Sequence, residues 1–208
     1  MAALAEDQNA LEIFQDGKDL YLEVAKIMKD GTEEDHRNFR KRAKIIFLGQ
    51  INGMTTGGTY FELENAGWYT DYDHVNFLLS KLYDEFSSIE KWRSRIIDQA
   101  KDDKSVASKL GRRLKVDDEV TDNSIVNLPI QSNASDVFKI ALLDLHKKLE
   151  ELDARIVHII HDEIIVEAGE DIADDVSKLV KECMEKAYEK MLPNCPFLVE
   201  PKITDSWG

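Results

Sequence analysis

Apolar positions recur along this chain at two different periods, and the change of period divides it. Leu11, Phe14, Leu20, Val24 and Ile27-Met28 form a broken helical stripe that Gly17 interrupts. A long helix is predicted from about Glu33 to Asn52, stopped by Gly53. Gly57-Gly58 is expected to break the chain, with a short amphipathic helix around Tyr60, Phe61 and Leu63. From Asp71 to about Lys101 one further long helix is predicted, with Val75, Leu78, Leu79, Leu82, Phe86, Ile89, Trp92 and Ile96 on one face. Residues 102–126 are polar and poorly periodic and read as irregular loops. Ala134 to Leu152 again reads as helix, with Val137, Phe138, Ala141, Leu142, Leu145 and Leu149 inward. Ile156–Ile160 and Glu163–Val166 are β-rich runs separated by two residues, which predicts a hairpin. A helix over Glu170–Met191 and a last strand from Phe197 toward Ile203 come next, the strand limited by Pro196 and Pro201.

The 208 residues suffice for one large domain or two small ones, and 43% hydrophobic content is that of a globular chain. No apolar run reaches the roughly 20 residues of a membrane span. The first residues carry no basic region, so no signal peptide is expected. Cys183 and Cys195 have no metal-ligand spacing and make no disulfide framework, which points to a reducing, cytoplasmic setting. The net charge of −14 argues against a generic nucleic-acid coat protein. The basic residues are nonetheless clustered: residues 36–44 hold five Lys or Arg, and residues 109–115 hold four, of 27 in all. Each stretch reads either as a local anion site or as a solvated surface.

Three features carry candidate chemistry. A two-residue hairpin turn favours Asn-Gly or Asp-Gly, so His161-Asp162 is a poor choice on conformational grounds. A rigid tip of His161, Asp162 and Glu163 can present carboxylate oxygens to Mg²⁺, or it is a plain exposed turn. Arg40, Lys44 and Leu48 stand at i, i+4 and i+8, with Asn52 one turn further. A guanidinium and an ammonium one turn apart can hold a polyphosphate, and the other reading is again a solvated face. The amides of Asn127 and Gln131 can read groove edges, or serve an ordinary helix start.

These pieces occur together and in order. Arg40-Lys41-Arg42-Ala43-Lys44-Ile45-Ile46-Phe47-Leu48-Gly49-Gln50-Ile51-Asn52-Gly53 resembles motif B of the family A, DNA polymerase I-like, DNA polymerases. Val157 through Glu163 is similar to their motif C hairpin, and Asn127 through Asp136 to the run before the palm helix. Leu110-Gly111-Arg112-Arg113 and the near-terminal Asp205-Ser206-Trp207 add two shorter matches. The resemblance covers nearly the whole chain. It implies an α+β, helix-rich fold: helical fingers over residues 1–126, then the C-terminal part of an antiparallel palm sheet over residues 127–208.

The same resemblance implies the roles. Asp162 would bind catalytic Mg²⁺, with Glu163 beside it. Arg40 and Lys44 would hold the triphosphate of a dNTP, with Leu48, Asn52 and Tyr21 in the nucleotide pocket. Arg112 and Arg113 would contact the DNA backbone, and Asn127, Gln131 and His161 the primer–template end. The reaction would be two-metal phosphoryl transfer. Leu48 stands where the family has Phe, Asn52 where it has Tyr, and Tyr21 in Lys18-Asp19-Leu20-Tyr21 where it has His. The loop between Arg113 and Asn127 is short and lacks an expected Arg. Motif A, with the other metal-binding Asp, has no match. Residues 1–9 resemble the family's segment directly after motif A, so the chain is expected to be a fragment, inactive alone. Its expected partners are primer–template DNA, dNTPs and a separate N-terminal part with motif A and thumb, in a bacterial or phage-infected cytoplasm. The missing part would leave strand edges exposed, which invites self-association. Two other classes fit the residues less well: a small Mg²⁺-dependent nuclease at Asp162 and Glu163, and a non-catalytic acidic interaction module.

Overall fold

The computed structural model describes residues 1–28 and 36–206, apart from the side chains of residues 36 and 37. Trp207 and the start of the predicted 33–52 helix therefore lie outside the described residues. The chain forms two compact units, residues 1–107 with 113–130, and residues 108–112 with 131–208.

The first unit begins with α1 (Ala2–Ala5), α2 (Gln8–Gln15) and α3 (Leu20–Met28). Then come α4 (His36–Ile51), α5 (Thr56–Asn65), α6 (Tyr72–Glu85) and α7 (Ser87–Asp103). Its core gathers the periodic apolar positions: Val24 from α3, Ala43, Ile46 and Phe47 from α4, Leu63 from α5, and Val75, Leu79 and Leu82 from α6. Phe47 meets Phe86 edge-to-face, with ring centroids 5.3 Å apart.

Three predicted elements of the first unit are corrected. Gly57-Gly58 does not break the chain but lies in the first turn of α5, where the Thr55 hydroxyl caps the Gly58 N–H at 3.1 Å. A Cβ at Gly58 would come within 2.7 Å of the Met54 side chain, so the glycine permits a close approach. The single helix predicted over 71–101 is two, broken at Phe86, whose φ of −108° and ψ of 45° leave the helical region. The cause lies far away in sequence. Asp7, almost fully buried, accepts from Ala10 N at the start of α2 and from Ser88 N at the start of α7. Asn9 also donates to the Glu85 carbonyl at 2.8 Å.

Residues 102–126 are the third correction, since they are not all loop. They hold β1 (Ser105–Ala107) and β2 (Arg113–Lys115), an antiparallel pair, and the start of α8 (Asp122–Leu149). Helix α8 thus begins twelve residues before the predicted Ala134 and carries Pro129 inside it. Asn127 through Ser132, expected as a lead-in, is helical. Ala100, Val106, Val116 and Ile125 bury this part of the unit.

The second unit packs the rest of α8 against α9 (Ala173–Met191) and one face of a hairpin, β3 (Ala154–Ile160) and β4 (Glu163–Ala168). Leu145, Leu149, Val176 and Cys183 bury against Ala154, Ile156, Ile164 and Val166. Register runs Ala154↔Ala168, Arg155↔Glu167 and Ile156↔Val166. It shifts at Val157 and resumes as His158↔Ile165 through Ile160↔Glu163. Val157 and Ile159 stay 46% and 45% exposed, and among the described residues no third strand joins this sheet. The last predicted strand does not form. Phe197 instead stacks on Tyr188, rings 4.4 Å apart, and Val199 N donates to Glu185 Oε1 at 3.0 Å.

Candidate active site

The motif B face is built on α3 and α4. Arg40 and Lys44 stand one turn apart on α4, and both cations lie over the Tyr21 ring of α3, at 5.3 and 5.8 Å from its centroid. Arg40 Nε and Nη2 both donate to Asp19 Oδ2, at 2.9 and 2.8 Å. Asp19 Oδ1 accepts from Leu22 N at 3.0 Å, which makes Asp19 the N-cap of α3. Burial pulls the Asp19 carboxyl upward, but the Arg40 hydrogen bonds, the Leu22 N–H and the guanidinium charge outweigh it. Asp19 is held below its ordinary value. Four residues from two helices thus converge, three of them expected from the sequence. Asp19 lies in the matching stretch Lys18-Asp19-Leu20-Tyr21 but the resemblance gives it no part in the site, though an Asp just before the stripe Leu20-Tyr21-Leu22 is a helix-start signal.

Leu48 continues the face, half-buried, and Asn52 sits exposed just beyond the helix end, its N–H on the Leu48 carbonyl at 2.9 Å. The α4 terminus is clamped. Arg93, buried on α7, donates to the Ile51 carbonyl, and Asn123 Nδ2 donates to the Gly53 carbonyl at 3.0 Å. Gly53 takes φ +72°, and a Cβ there would fall 1.5 Å from Asn123 Oδ1, so only glycine fits. The basic stretch is not one uniform anion strip. Arg42 turns away to pack over Phe39 and Trp68, at 5.9 and 5.1 Å from their centroids.

The four cations of the second basic stretch each have a partner inside the chain. Arg112 Nη2 donates to Asp136 Oδ1 at 2.8 Å and to the Ser132 carbonyl at 2.9 Å. Lys109 Nζ donates to the Met191 carbonyl, Arg113 to Ser105 Oγ, and Lys115 pairs with Asp117. Asp136, buried on α8, closes the matching run from Asn127, but its pairing with Arg112 is not legible there. Among the described residues its Oδ2 and the Ser132 Oγ have no hydrogen-bond partner. Asn127 is half-buried and Gln131 exposed, both on α8.

The hairpin tip holds His161, Asp162 and Glu163, all exposed. His161 has φ +52°, the left-handed conformation that costs an L-residue about 1–2 kcal/mol. The turn demands that backbone, and the sequence supplies a histidine rather than a glycine. Asp162 and Glu163 offer two adjacent carboxylates, the donor chemistry Mg²⁺ takes. Among the described residues no three His, Cys, Asp or Glu are grouped to hold a metal, which is what the nuclease alternative requires at this tip. No described helix is long and apolar enough to cross a membrane. Arg40, Lys44 and Tyr21 belong to the first unit, and Arg112, His161, Asp162 and Glu163 to the second.

Comparison with known proteins agrees with these motifs. The family model described as DNA polymerase family A matches residues 1–208. The chain is 29% identical over 217 residues to the thermostable DNA polymerase I of Thermus aquaticus, covering all of this chain and 25% of that protein. It is 29% identical over 213 residues to DNA polymerase I of Aquifex aeolicus, covering 99% of this chain and 36% of that protein. With DNA polymerase I of Geobacillus stearothermophilus it shares 30% over 205 residues, 93% of this chain and 23% of the other. It therefore spans only about a quarter to a third of these relatives. Among solved structures it matches the POL domain of Pol1 from M. smegmatis, in complex with DNA primer-template and dNTP. That match has a TM-score of 0.79 and 25% identity, and covers 94% of this chain and 35% of the other.

Proposed function

Because the chain belongs to DNA polymerase family A, we propose that it is the fingers and C-terminal palm part of a template-directed DNA polymerase. It would act in adding dNTPs to a primer 3′ end. The observation that carries this reading is the pairing of Arg40 and Lys44 on one face of α4, both over Tyr21. A fork and a point charge one turn apart suit a triphosphate. Tyr21, where family members have His, keeps the pair together through its ring face and has a phenolic donor of its own. Leu48 offers an apolar contact to sugar or base, and Asn52, exposed past the helix end, an amide in place of a stacking ring.

Asp162 and Glu163 would supply carboxylate oxygens to Mg²⁺ at the hairpin tip. When bound, the metal lowers the pKa of the attacking hydroxyl and stabilises charge on the leaving pyrophosphate. Two carboxylates make part of a two-metal site. The remaining ligand would come from a motif A aspartate on another polypeptide segment, so this chain alone would not extend primers. Arg113, Gln131 and His161 are exposed candidates for the primer–template. Arg112, already on Asp136, would reach a phosphate with the rest of its guanidinium.

Primer extension with Mg²⁺ and dNTPs tests the reading, with this chain alone and then mixed with a family A fragment carrying motif A and the thumb. Extension is expected only in the mixture, and Asp162→Ala should abolish it, a loss of at least about 10³-fold for a metal ligand. Extension by the chain alone, or in the mixture with Asp162→Ala, would refute the assignment.

A further inference from the structure

Asp19 stands in the Lys18-Asp19-Leu20-Tyr21 match but has no role assigned there, and a carboxylate beside two anion-binding cations should weaken their hold on a polyphosphate. Its geometry suggests the opposite role. Both donors on one edge of the Arg40 guanidinium, Nε and Nη2, converge on Asp19 Oδ2 at 2.9 and 2.8 Å. The other oxygen, Oδ1, is tied to Leu22 N at 3.0 Å at the start of α3. The carboxylate therefore cannot turn away without uncapping its helix. Arg40 is 43% exposed and would otherwise spread over several rotamers. Pinned along one edge and laid over Tyr21, it keeps one orientation. Among the described residues the Nη1 hydrogens and the second Nη2 hydrogen meet no acceptor, and the Lys44 ammonium lies over the same Tyr21 ring.

We propose that Asp19 is a positioning residue for the polyphosphate site: it orients Arg40 and stays bound to it while a triphosphate occupies the free edge. The gain is preorganisation, since the long side chain is ordered before the ligand arrives. The local charge of Asp19, Arg40 and Lys44 falls from +2 to +1, and the orientation is worth more than the lost charge. This inference rests on the proposed function, because it requires that Arg40 and Lys44 bind polyphosphate.

The test is calorimetric titration of this chain with inorganic tripolyphosphate and Mg²⁺. Asp19→Asn keeps the Oδ1 cap on Leu22, so the fold should survive, as its melting temperature will report. The variant should bind about tenfold more weakly, although it removes a negative charge. In an Arg40→Lys background, with no fork to orient, the same change should not weaken binding. The Arg40 Nε–H resonance gives a second readout, since it should remain hydrogen-bonded when ligand is added to the wild-type chain. Equal or tighter binding by Asp19→Asn, or release of that N–H on ligand addition, would make Asp19 a competitor and overturn the inference alone. Failure of the wild-type chain to bind, or binding untouched by Lys44→Gln, would overturn the polyphosphate reading and this inference with it.

Discussion

Single residues in this chain carry two opposite kinds of information. Arg40 and Lys44 are legible from spacing, because helical periodicity states which side chains share a face before any tertiary contact exists, and Tyr21 only from its place in the family resemblance. Asp19 and Asp136 fall in matching stretches, but their parts are not legible, because what defines them is the arginine each holds, 21 and 24 residues away. His161 lies between the two. The sequence shows that the turn needs a positive φ and that His-Asp is a poor way to provide it. The structure puts His161 at φ +52° all the same. A residue strained beside two carboxylates suited to a metal is the pattern expected where local stability is exchanged for function. His161→Gly should therefore raise stability by about 0.5–1 kcal/mol, read as a higher urea midpoint at constant slope. A lower midpoint would mean that the imidazole makes contacts that outweigh its backbone strain.

At the scale of elements, the places where sequence and structure part share a cause: capping and clamping by distant groups. The apolar stripe from Val75 to Ile96 is continuous, so period alone cannot reveal the break at Phe86. Pro129 and the polar run before it argue against a helix, yet α8 starts at Asp122 because Ile125 and Val126 are buried there. Gly57-Gly58 reads as a break, but the Thr55 cap turns it into a helix start. The stop at Gly53 is legible in the sequence, and the structure supplies the reason: Arg93 takes the last α4 carbonyl, that of Ile51, and Asn123 takes the Gly53 carbonyl just past it. Gly53→Ala meets both the left-handed penalty and the Asn123 amide. It should cost about 1–2 kcal/mol for the backbone and about 1 more for the lost hydrogen bond. Chemical denaturation measures the sum, and a change below about 0.5 kcal/mol would show that the clamp yields at no cost.

On the scale of the whole molecule, the expected change of character along the chain is present: a helical first part, then a hairpin packed on helices. The structure groups residues 108–112 with the second unit and divides the chain inside α8, between Ile130 and Gln131. No composition shift marks that point. The acidic total misleads least where charge is read locally, since Arg112 and Lys115 are paired with Asp136 and Asp117 while Arg40 and Lys44 share one face with the single carboxylate of Asp19.

Asp7 ties this scale to the first. One carboxylate starts two helices separated by 81 residues of chain. Asp7→Ala removes both caps and should cost about 2 kcal/mol, at about 1 for each. Amide hydrogen exchange at Ser88 should quicken in the variant more than exchange at Leu82. The consequence is an order of events. Until the chain closes a loop of that length, nothing distinguishes Phe86 from its helical neighbours, and closing it carries an entropic cost. Early in folding, residues 71–101 should therefore exist as the single uninterrupted rod that their hydrophobic period describes. The bend is then put in by the arrival of the N-terminal segment.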